Sequence, residues 1–537
     1  MINLSDNAQD IIHDRVIHQV LKQKVDEYGN RDFFFFKDQA YSYEDLDQES
    51  DKIASGLQAM GIGKGDKVAI MMGNRPEFLF VWFGLSKLGA IEVPINTAHR
   101  GSLLTYMVES TDCRLIIIES QFFDRLEPIL KSLPCVENVV VLDEVSKKWP
   151  SMAKPIRNYH LIIDNNGQYE KTEIIWSDPF AIMFTSGTTG PSKGALMPHN
   201  YAIFMGEVIC HAGQYTEGDK LYNALPLFHG NAQVLSTMPA LMCGAQMVLA
   251  EKFSASQFWK DIKDYGCTEF NYVGSILPIL YKADPKPDDG QNPIRIMIGG
   301  GAPPDLFEAF EQRFCLRLVE CYGMSEMGLP FMSSQSESRP GSCGKPRPDY
   351  EVKLIDDNGL EVGTGEMGEL LIRPLKPYSI LLEYYKMPDK TVEAWRDLWF
   401  HTGDYMRQDE DGFFYFVDRK KDALRRRGEN ISSYEVEAVI NSHPAVLQSA
   451  AVPAHSDLGE DDVMVCLTLK PGKKVTPEEL IAHCNKKMAY FMVPRYLRFM
   501  DSLPKTPTER VQKYKLREVG VTSDTWDREK AGYQLQR

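Results

Sequence analysis

Apolar residues near the start of the chain recur with two different periods. Ser42, followed three residues later by Asp45, reads as a helix start; Leu46, Ile53, Leu57 and Met60 then return at helical spacing until Gly61 and Gly63 end the pattern. A short strand-like run follows at 67–72, then a helical stretch at 77–88 closed by Gly89, an apolar 90–95, and further runs at 114–118 and 138–142. Helices alternating with short β-branched runs predict an α/β architecture.

The pattern changes near Asp404. Residues 404–418 read as a hairpin with its turn at 408–412 and its returning strand at 413–417. A basic cluster comes next, then a helix at 433–442, a strand at 463–469 and a polar tail. A chain of 537 residues is too long for one hydrophobic core. The expected division is a large domain at 1–420 and a small one at 421–537, joined near Lys421. No internal repeat or low-complexity tract interrupts either part.

Composition narrows the class. With 43% apolar and 25% charged residues the chain is an ordinary packed protein rather than a disordered or fibrous one. A formal net charge of −15 works against attraction to nucleic acid or an anionic membrane, so no nucleic-acid partner is expected and any anionic ligand needs a local site. The ten cysteines form no C-x-x-C pair and read as free thiols rather than a disulfide frame or zinc site. The amino terminus has no secretory pattern, and the greasiest run, 78–88, is broken by Lys87; a cytoplasmic protein without an integral membrane segment is expected.

Candidate chemistry begins at a strand-like 180–184 that runs into Thr185, Ser186, Gly187, Thr188, Thr189, Gly190, Pro191, Ser192, Lys193 and Gly194. Its glycines let backbone N–H groups converge, its hydroxyls add donors, and Lys193 adds a charge that a polyphosphate could share. The usual nucleotide P-loop is excluded because Gly194, not Ser or Thr, follows the lysine. A polar glycine-rich stretch in isolation is more often a flexible connector; the preceding strand, Pro191 and the single lysine shift this one toward phosphate binding.

Three more segments point the same way. Residues 295–303 read as a strand ending in Gly300, Gly301, Ala302 and Pro303, where backbone can lie against a flat ring. Residues 318–326 give a second strand end bearing Tyr322, Gly323, Ser325 and Glu326: a ring to stack on a purine, a hydroxyl for phosphate, and the hard oxygen that Mg²⁺ prefers. Taken singly, such a tyrosine is more often core and such a glutamate more often surface. Asp404 follows a glycine and could accept from both hydroxyls of a ribose, its plain alternative being a turn aspartate. Arg419 could reach phosphate or ribose, its alternative being an exposed cation.

These segments, in this order, resemble the signature of the adenylate-forming superfamily, which contains acyl-CoA synthetases, luciferases and peptide-synthetase adenylation domains. Residues 226–230 (Pro-Leu-Phe-His-Gly) and 428–431 (Gly-Glu-Asn-Ile) with Glu435 and Glu437 match further family segments. The resemblance spans about Tyr41 to Leu516, lies in the acyl-CoA ligase branch, and is loosely similar to carnitine/crotonobetaine–CoA ligases. It implies a large N-terminal domain of layered α/β subdomains with a small mobile α+β C-terminal domain. It also implies ATP, Mg²⁺ and coenzyme A as cofactors, with a small carboxylic acid as substrate.

By that resemblance the 185–194 loop holds the triphosphate, residues 300–303 with Tyr322 flank the adenine, Ser325 lies near the α-phosphate and Glu326 ligates Mg²⁺. Asp404 and Arg419 bind the ribose, and Lys421 is the hinge. His229 lies beside the acyl pocket, with Gln233, Val273, Gly274 and Gly300 as further pocket positions. The reaction implied makes acyl-AMP and pyrophosphate, then acyl-CoA and AMP.

The chain departs from the family at one place that matters. The motif that normally ends in Gly-Lys here has Glu509 and Arg510, so Arg510 is the expected bridging cation, with Lys513 as an understudy. The basic run 419–427 is also unusual; Arg425, Arg426 and Arg427 with Gly428 are assigned to the coenzyme A side, against the alternative of a solvated face. Two competing functions remain: adenylation with another acceptor, such as a carrier protein, disfavoured because the chain ends soon after Arg510; and a nucleotide-binding protein whose adenylation is weakened by Arg510. Oligomeric state is not readable, a homodimer staying open.

Overall fold

The Ser42 hydroxyl accepts from the Asp45 N–H while the Asp45 carboxylate accepts from the Ser42 N–H, so the helix Tyr43–Ala59 starts with the reciprocal cap its sequence predicts. Leu46, Ile53 and Leu57 are buried on this helix, which packs against the helix Pro76–Leu88, itself apolar on nearly every face because it is buried on nearly every face. Lys87 sits inside this packing with its ammonium 2.7 Å from Asp47 Oδ1 and 2.6 Å from Asp51 Oδ1. Two carboxylates of the neighbouring helix thus neutralise the charge that breaks the apolar run.

The computed structural model describes residues 8–143, 154–185, 192–274, 276–420, 424–426, 429–431, 433–455, 461–488, 492–505 and 511–535. Among them the fold is α/β, with two compact units. One holds the chain up to 351 together with 372–398; the other holds 352–371 together with the chain from 399 onward.

The first unit is built on two large sheets. The eight-stranded sheet has a parallel centre of Ile91–Pro94, Lys67–Met71, Cys113–Glu119 and Asn138–Leu142, mostly apolar and mostly buried as expected of strands covered on both faces. Beside that centre lies an antiparallel hairpin, Pro179–Thr185 with Lys193–Pro198, and the two-residue strand Glu383–Tyr384 closes the edge. The nine-stranded sheet has Gln246–Leu249, Lys220–Asn223, Glu269–Val273, Ile296–Gly300 and Arg317–Met324 running parallel through its middle.

The second unit contains the predicted hairpin, Phe400–Gln408 with Phe414–Arg419, in a four-stranded sheet, and an α+β end. There the helix Ser433–Asn441 and the strands Val446–His455 and Asp461–Leu469 bury Val436, Ile440, Val446, Val463 and Val465 in one core. The stretch expected to be a polar tail is folded instead. It forms the helix Pro477–Asn485, the strand Tyr496–Phe499 parallel to Asp461–Leu469, and the helix Lys513–Val519. Each element is short and contributes only two or three apolar residues, such as Leu480 and Ile481, so no local window carries the signal. Arg495 supplies the polar closure, 2.8 Å from Asp462 and 3.4 Å from Asp527.

Among the described residues no helix is long and apolar enough to cross a membrane.

Candidate active site

The strands Glu269–Val273, Ile296–Gly300 and Arg317–Met324 lie side by side, with Val273 opposite Gly300 and Gly299 opposite Glu320. Their C-terminal ends therefore bring Val273 and Gly274, residues 300–303, and residues 322–326 along one sheet edge, the edge at which open α/β sheets bind ligands. Backbone contact there is tight. A Cβ on Gly274 would come within 2.0 Å of the Gly301 carbonyl oxygen, and Gly301 itself adopts φ +86°. Both positions demand glycine.

Glu320 lies buried beneath this loop and was not singled out from the sequence. Its Oε2 accepts from the Gly301 N–H at 3.0 Å, its Oε1 accepts from the Ala302 N–H at 3.1 Å, and the Tyr272 hydroxyl donates to it as well. Burial pushes its pKa up to about 7, against the pull of these three donors. The only signal available in advance was a carboxylate inside an otherwise apolar strand. Beyond it, the Tyr322 ring meets Phe331 edge-on at 5.9 Å, and Ser325 is half-buried.

Glu326 is buried, and its Oε1 accepts from the Tyr384 hydroxyl at 2.9 Å. The Tyr384 ring in turn has Lys193 Nζ over its face, 3.9 Å from the centroid. Lys193 opens its strand opposite Thr185, whose hydroxyl donates to the Lys193 carbonyl at 3.4 Å; the Tyr106 hydroxyl donates to the Ser192 carbonyl at 2.9 Å. Both ends of the phosphate-loop candidate are thereby anchored. Ser186, Gly187, Thr188, Thr189 and Gly190 lie outside the described residues. Tyr384 and Tyr106 are additions that sequence reading missed, because neither is near the loop in the chain.

The 226–230 segment is clamped by Asn74, which accepts from the Leu227 N–H at 2.8 Å and donates to the Leu225 and Ala250 carbonyls at 2.9 Å each. His229 packs its ring edge-on against Phe228 at 4.8 Å, and a Cβ on Gly230 would lie 3.3 Å from Met183 Sδ on the strand leading to Thr185. Gln233 is fully buried and donates to the Leu227 carbonyl at 2.8 Å, while Val273 is 41% exposed. Behind Gln233, Glu92 on the strand Ile91–Pro94 is fully buried. Burial holds its carboxyl well above the usual range, and the Gln233 amide offsets this slightly without forming a well-shaped hydrogen bond.

In the second unit Asp404 and Arg419 are cross-strand partners, with Arg419 Nε 3.6 Å from Asp404 Oδ1. Asp404 is buried, and its N–H donates to the Thr402 hydroxyl at 3.1 Å. Arg425 and Arg426 lie on the strand Leu424–Arg426, paired with Glu429–Ile431. Lys513 Nζ is 2.8 Å from Glu437 Oε1 and donates to the Ser433 hydroxyl. Lys421, Arg427, Gly428 and Arg510 lie outside the described residues.

Among the described residues no three metal-ligating side chains gather in one place. A divalent cation at Glu326 would draw its remaining oxygens from phosphates and water. That fits Mg²⁺, which is usually held by one or two carboxylates plus substrate phosphates.

Comparison with known proteins adds two kinds of likeness. A family model described as AMP-binding enzyme matches residues 21–385, and one described as AMP-binding enzyme C-terminal domain matches residues 435–510. The crotonobetaine/carnitine–CoA ligase of Proteus mirabilis (strain HI4320) is 31% identical, the match covering 94% of this chain and 99% of that one. Among solved structures, the anthranilate CoA ligase AuaEII in complex with anthranoyl-AMP superposes with a TM-score of 0.85 at 25% identity, covering 96% of this chain and 98% of the other. A benzoate CoA ligase from Burkholderia xenovorans LB400 has a TM-score of 0.81 at 23% identity over 94% and 99% of the two chains, and shares the fold.

Proposed function

This chain belongs to the AMP-binding enzyme family, and from that premise we propose that it is an ATP-dependent carboxylic acid–coenzyme A ligase that works through an acyl-AMP. The observation that carries the reading is the run Lys193–Tyr384–Glu326 beside the glycine loop at 300–303. It brings Lys193, from the eight-stranded sheet, toward Glu326 just beyond the strand ends of the nine-stranded sheet that also carry the glycine loop, as a triphosphate, its metal and a purine require.

A carboxylate is a poor electrophile, so activation needs a leaving group, and its attack on the α-phosphate of ATP brings two anions together. Mg²⁺, when bound, neutralises phosphate charge and holds the oxygens in line. Lys193 shares charge with the phosphates at the loop end, Thr185, Ser186, Gly187, Thr188, Thr189 and Gly190 supply donors, and Ser325 lies at the α-phosphate. Residues 300–303, with Tyr322 and Gly323, flank the adenine. Asp404 accepts from the ribose hydroxyls and Arg419 steadies it. His229, Gln233, Val273, Gly274 and Gly300 are assigned to the acyl pocket. Arg510 bridges the reacting carboxylate and phosphate. Support for choosing it comes from Lys513, whose ammonium is already spent on Glu437 and Ser433.

Thioester formation follows when the thiol of coenzyme A attacks the mixed anhydride and AMP departs; no side chain forms a covalent intermediate. Lys421 is assigned as hinge between a domain at 1–420 and a lid at 421–537, and Arg425, Arg426, Arg427 and Gly428 face the coenzyme A phosphates. Ten free thiols support a reducing compartment, the cytoplasm.

Exchange of labelled pyrophosphate into ATP across a panel of carboxylic acids tests the first half-reaction, and acid-dependent AMP release with and without coenzyme A tests the second. No exchange with any acid overturns adenylation. Exchange without coenzyme A-stimulated AMP release moves the acceptor from coenzyme A to another group, such as a carrier protein.

A further inference from the structure

The two-residue strand at the edge of the eight-stranded sheet fixes an unusual neighbour relation. Tyr384 pairs with Ala195 and Glu383 with Leu196. Lys193, two residues before Ala195, shares the same face of the sheet and lies diagonal to Tyr384, within reach of a long side chain. The register is pinned by the Tyr385 N–H donating to the Gly194 carbonyl at 2.8 Å, the Leu382 N–H to the Leu196 carbonyl at 2.8 Å, and the Tyr384 N–H to the Thr391 hydroxyl at 3.0 Å. The ring thus meets the Lys193 ammonium with its face, while its hydroxyl donates to Glu326 Oε1.

We propose that Tyr384 is a positioning residue that holds the phosphate-loop cation Lys193 and the metal-binding carboxylate Glu326 ready for ATP through opposite ends of one ring. The inference rests on the adenylating function above. Opposite charges in a half-buried site attract strongly, and a direct Lys193–Glu326 pair would occupy the two groups that the phosphates and Mg²⁺ need. An aromatic face steadies the ammonium loosely enough to release it to a phosphate. The hydroxyl occupies one carboxylate oxygen and orients the other toward a cation, as partners behind metal ligands commonly do.

The test is calorimetric binding of ATP, in EDTA and at stepped Mn²⁺ concentrations, with bound Mn²⁺ followed by electron paramagnetic resonance. Tyr384→Phe keeps the ring face and loses the hydroxyl. It is expected to leave ATP affinity in EDTA within about twofold, to raise the Mn²⁺ concentration giving half of the metal-dependent gain about tenfold, and to add nothing to Glu326→Gln in the double variant. Tyr384→Leu, which also removes the ring, additionally weakens ATP binding in EDTA. Equal losses with and without metal for Tyr384→Phe, or additivity with Glu326→Gln, mark a general packing role and overturn the proposal. Should Tyr384→Phe melt early, 3-fluorotyrosine at 384 replaces it: a shifted Mn²⁺ requirement with unchanged EDTA affinity supports the proposal, and no shift overturns it. Wild-type protein that binds no ATP under any condition sinks the adenylating function itself. Normal wild-type binding with a wild-type-like Tyr384→Phe sinks only the role of Tyr384.

Discussion

Lys513 Nζ lies 2.8 Å from Glu437 Oε1, and Glu437 also accepts from the Ala451 N–H at 2.7 Å, so the cation three residues beyond Arg510 is tied into the structure of the C-terminal unit. Removing one partner of this half-buried pair leaves the other charge without its hydrogen-bonded counterion, at a cost of about 1–3 kcal/mol. Lys513→Ala is therefore expected to lower the melting temperature. Arg510→Ala is expected to leave melting unchanged and to cut pyrophosphate exchange by about 10²–10³-fold. Full exchange in Arg510→Ala together with none in a folded Lys513→Ala reverses the two assignments.

Glu320 gives the glycine loop a titration near neutrality. Its folded pKa, about 7, is raised above the ordinary 4.5, so the stability it contributes is fully present below about pH 4.5 and is lost as pH rises through 7. At ~1.4 kcal/mol per pH unit the loss is about 3 kcal/mol. Glu320→Gln is expected to flatten melting temperature against pH between about 4.5 and 7. It is also expected to remove a fall in the KM for ATP as pH rises through 7, since only the carboxylate accepts fully from Gly301, Ala302 and Tyr272. A wild-type profile retained in the variant refutes both.

Glu92 makes a second pH prediction, with no carboxylate role to blur it. Its folded pKa is raised well above the ordinary value by burial, so each unit of pH above about 4.5 costs ~1.4 kcal/mol until the folded group ionises. Glu92→Gln keeps the shape without the proton and is expected to stabilise the protein more at pH 8 than at pH 5. Differential scanning calorimetry at the two values checks it; an equal or reversed effect excludes burial as the cause.

Charge removal at Arg425, Arg426 and Arg427 separates the two half-reactions. A triple alanine variant is expected to raise the KM for coenzyme A about tenfold or more, the value of one charged hydrogen bond to phosphate. Pyrophosphate exchange stays at the wild-type rate. Unchanged coenzyme A dependence assigns the cluster to a solvated face.

Much of this was legible along the chain because it is local. The Ser42–Asp45 cap, the buried helix after it, the glycine ends at 300 and 323 and the hairpin around Asp404 are each written within about ten consecutive residues. What stayed hidden is what only the sheets bring together. Glu320 matters because Gly301 and Tyr272 arrive from neighbouring strands, Asn74 because it reaches a segment about 150 residues later, and Tyr384 because an edge strand folds back. The folded C-terminal stretch was missed for the same reason: Tyr496–Phe499 earns its place by pairing with Asp461–Leu469, not by its own pattern.

The closing strand Glu383–Tyr384 also sets a clock on biosynthesis. A ribosome emits Lys193 about 190 residues before Tyr384, and until then the outer edge of the strand Lys193–Pro198 has no strand partner. Chains truncated short of residue 383 are therefore expected to aggregate more readily than chains that include the closing strand. Only chains that extend past it can cover the edge at Ala195 and Leu196, so this end of the sheet is completed in the last third of the sequence.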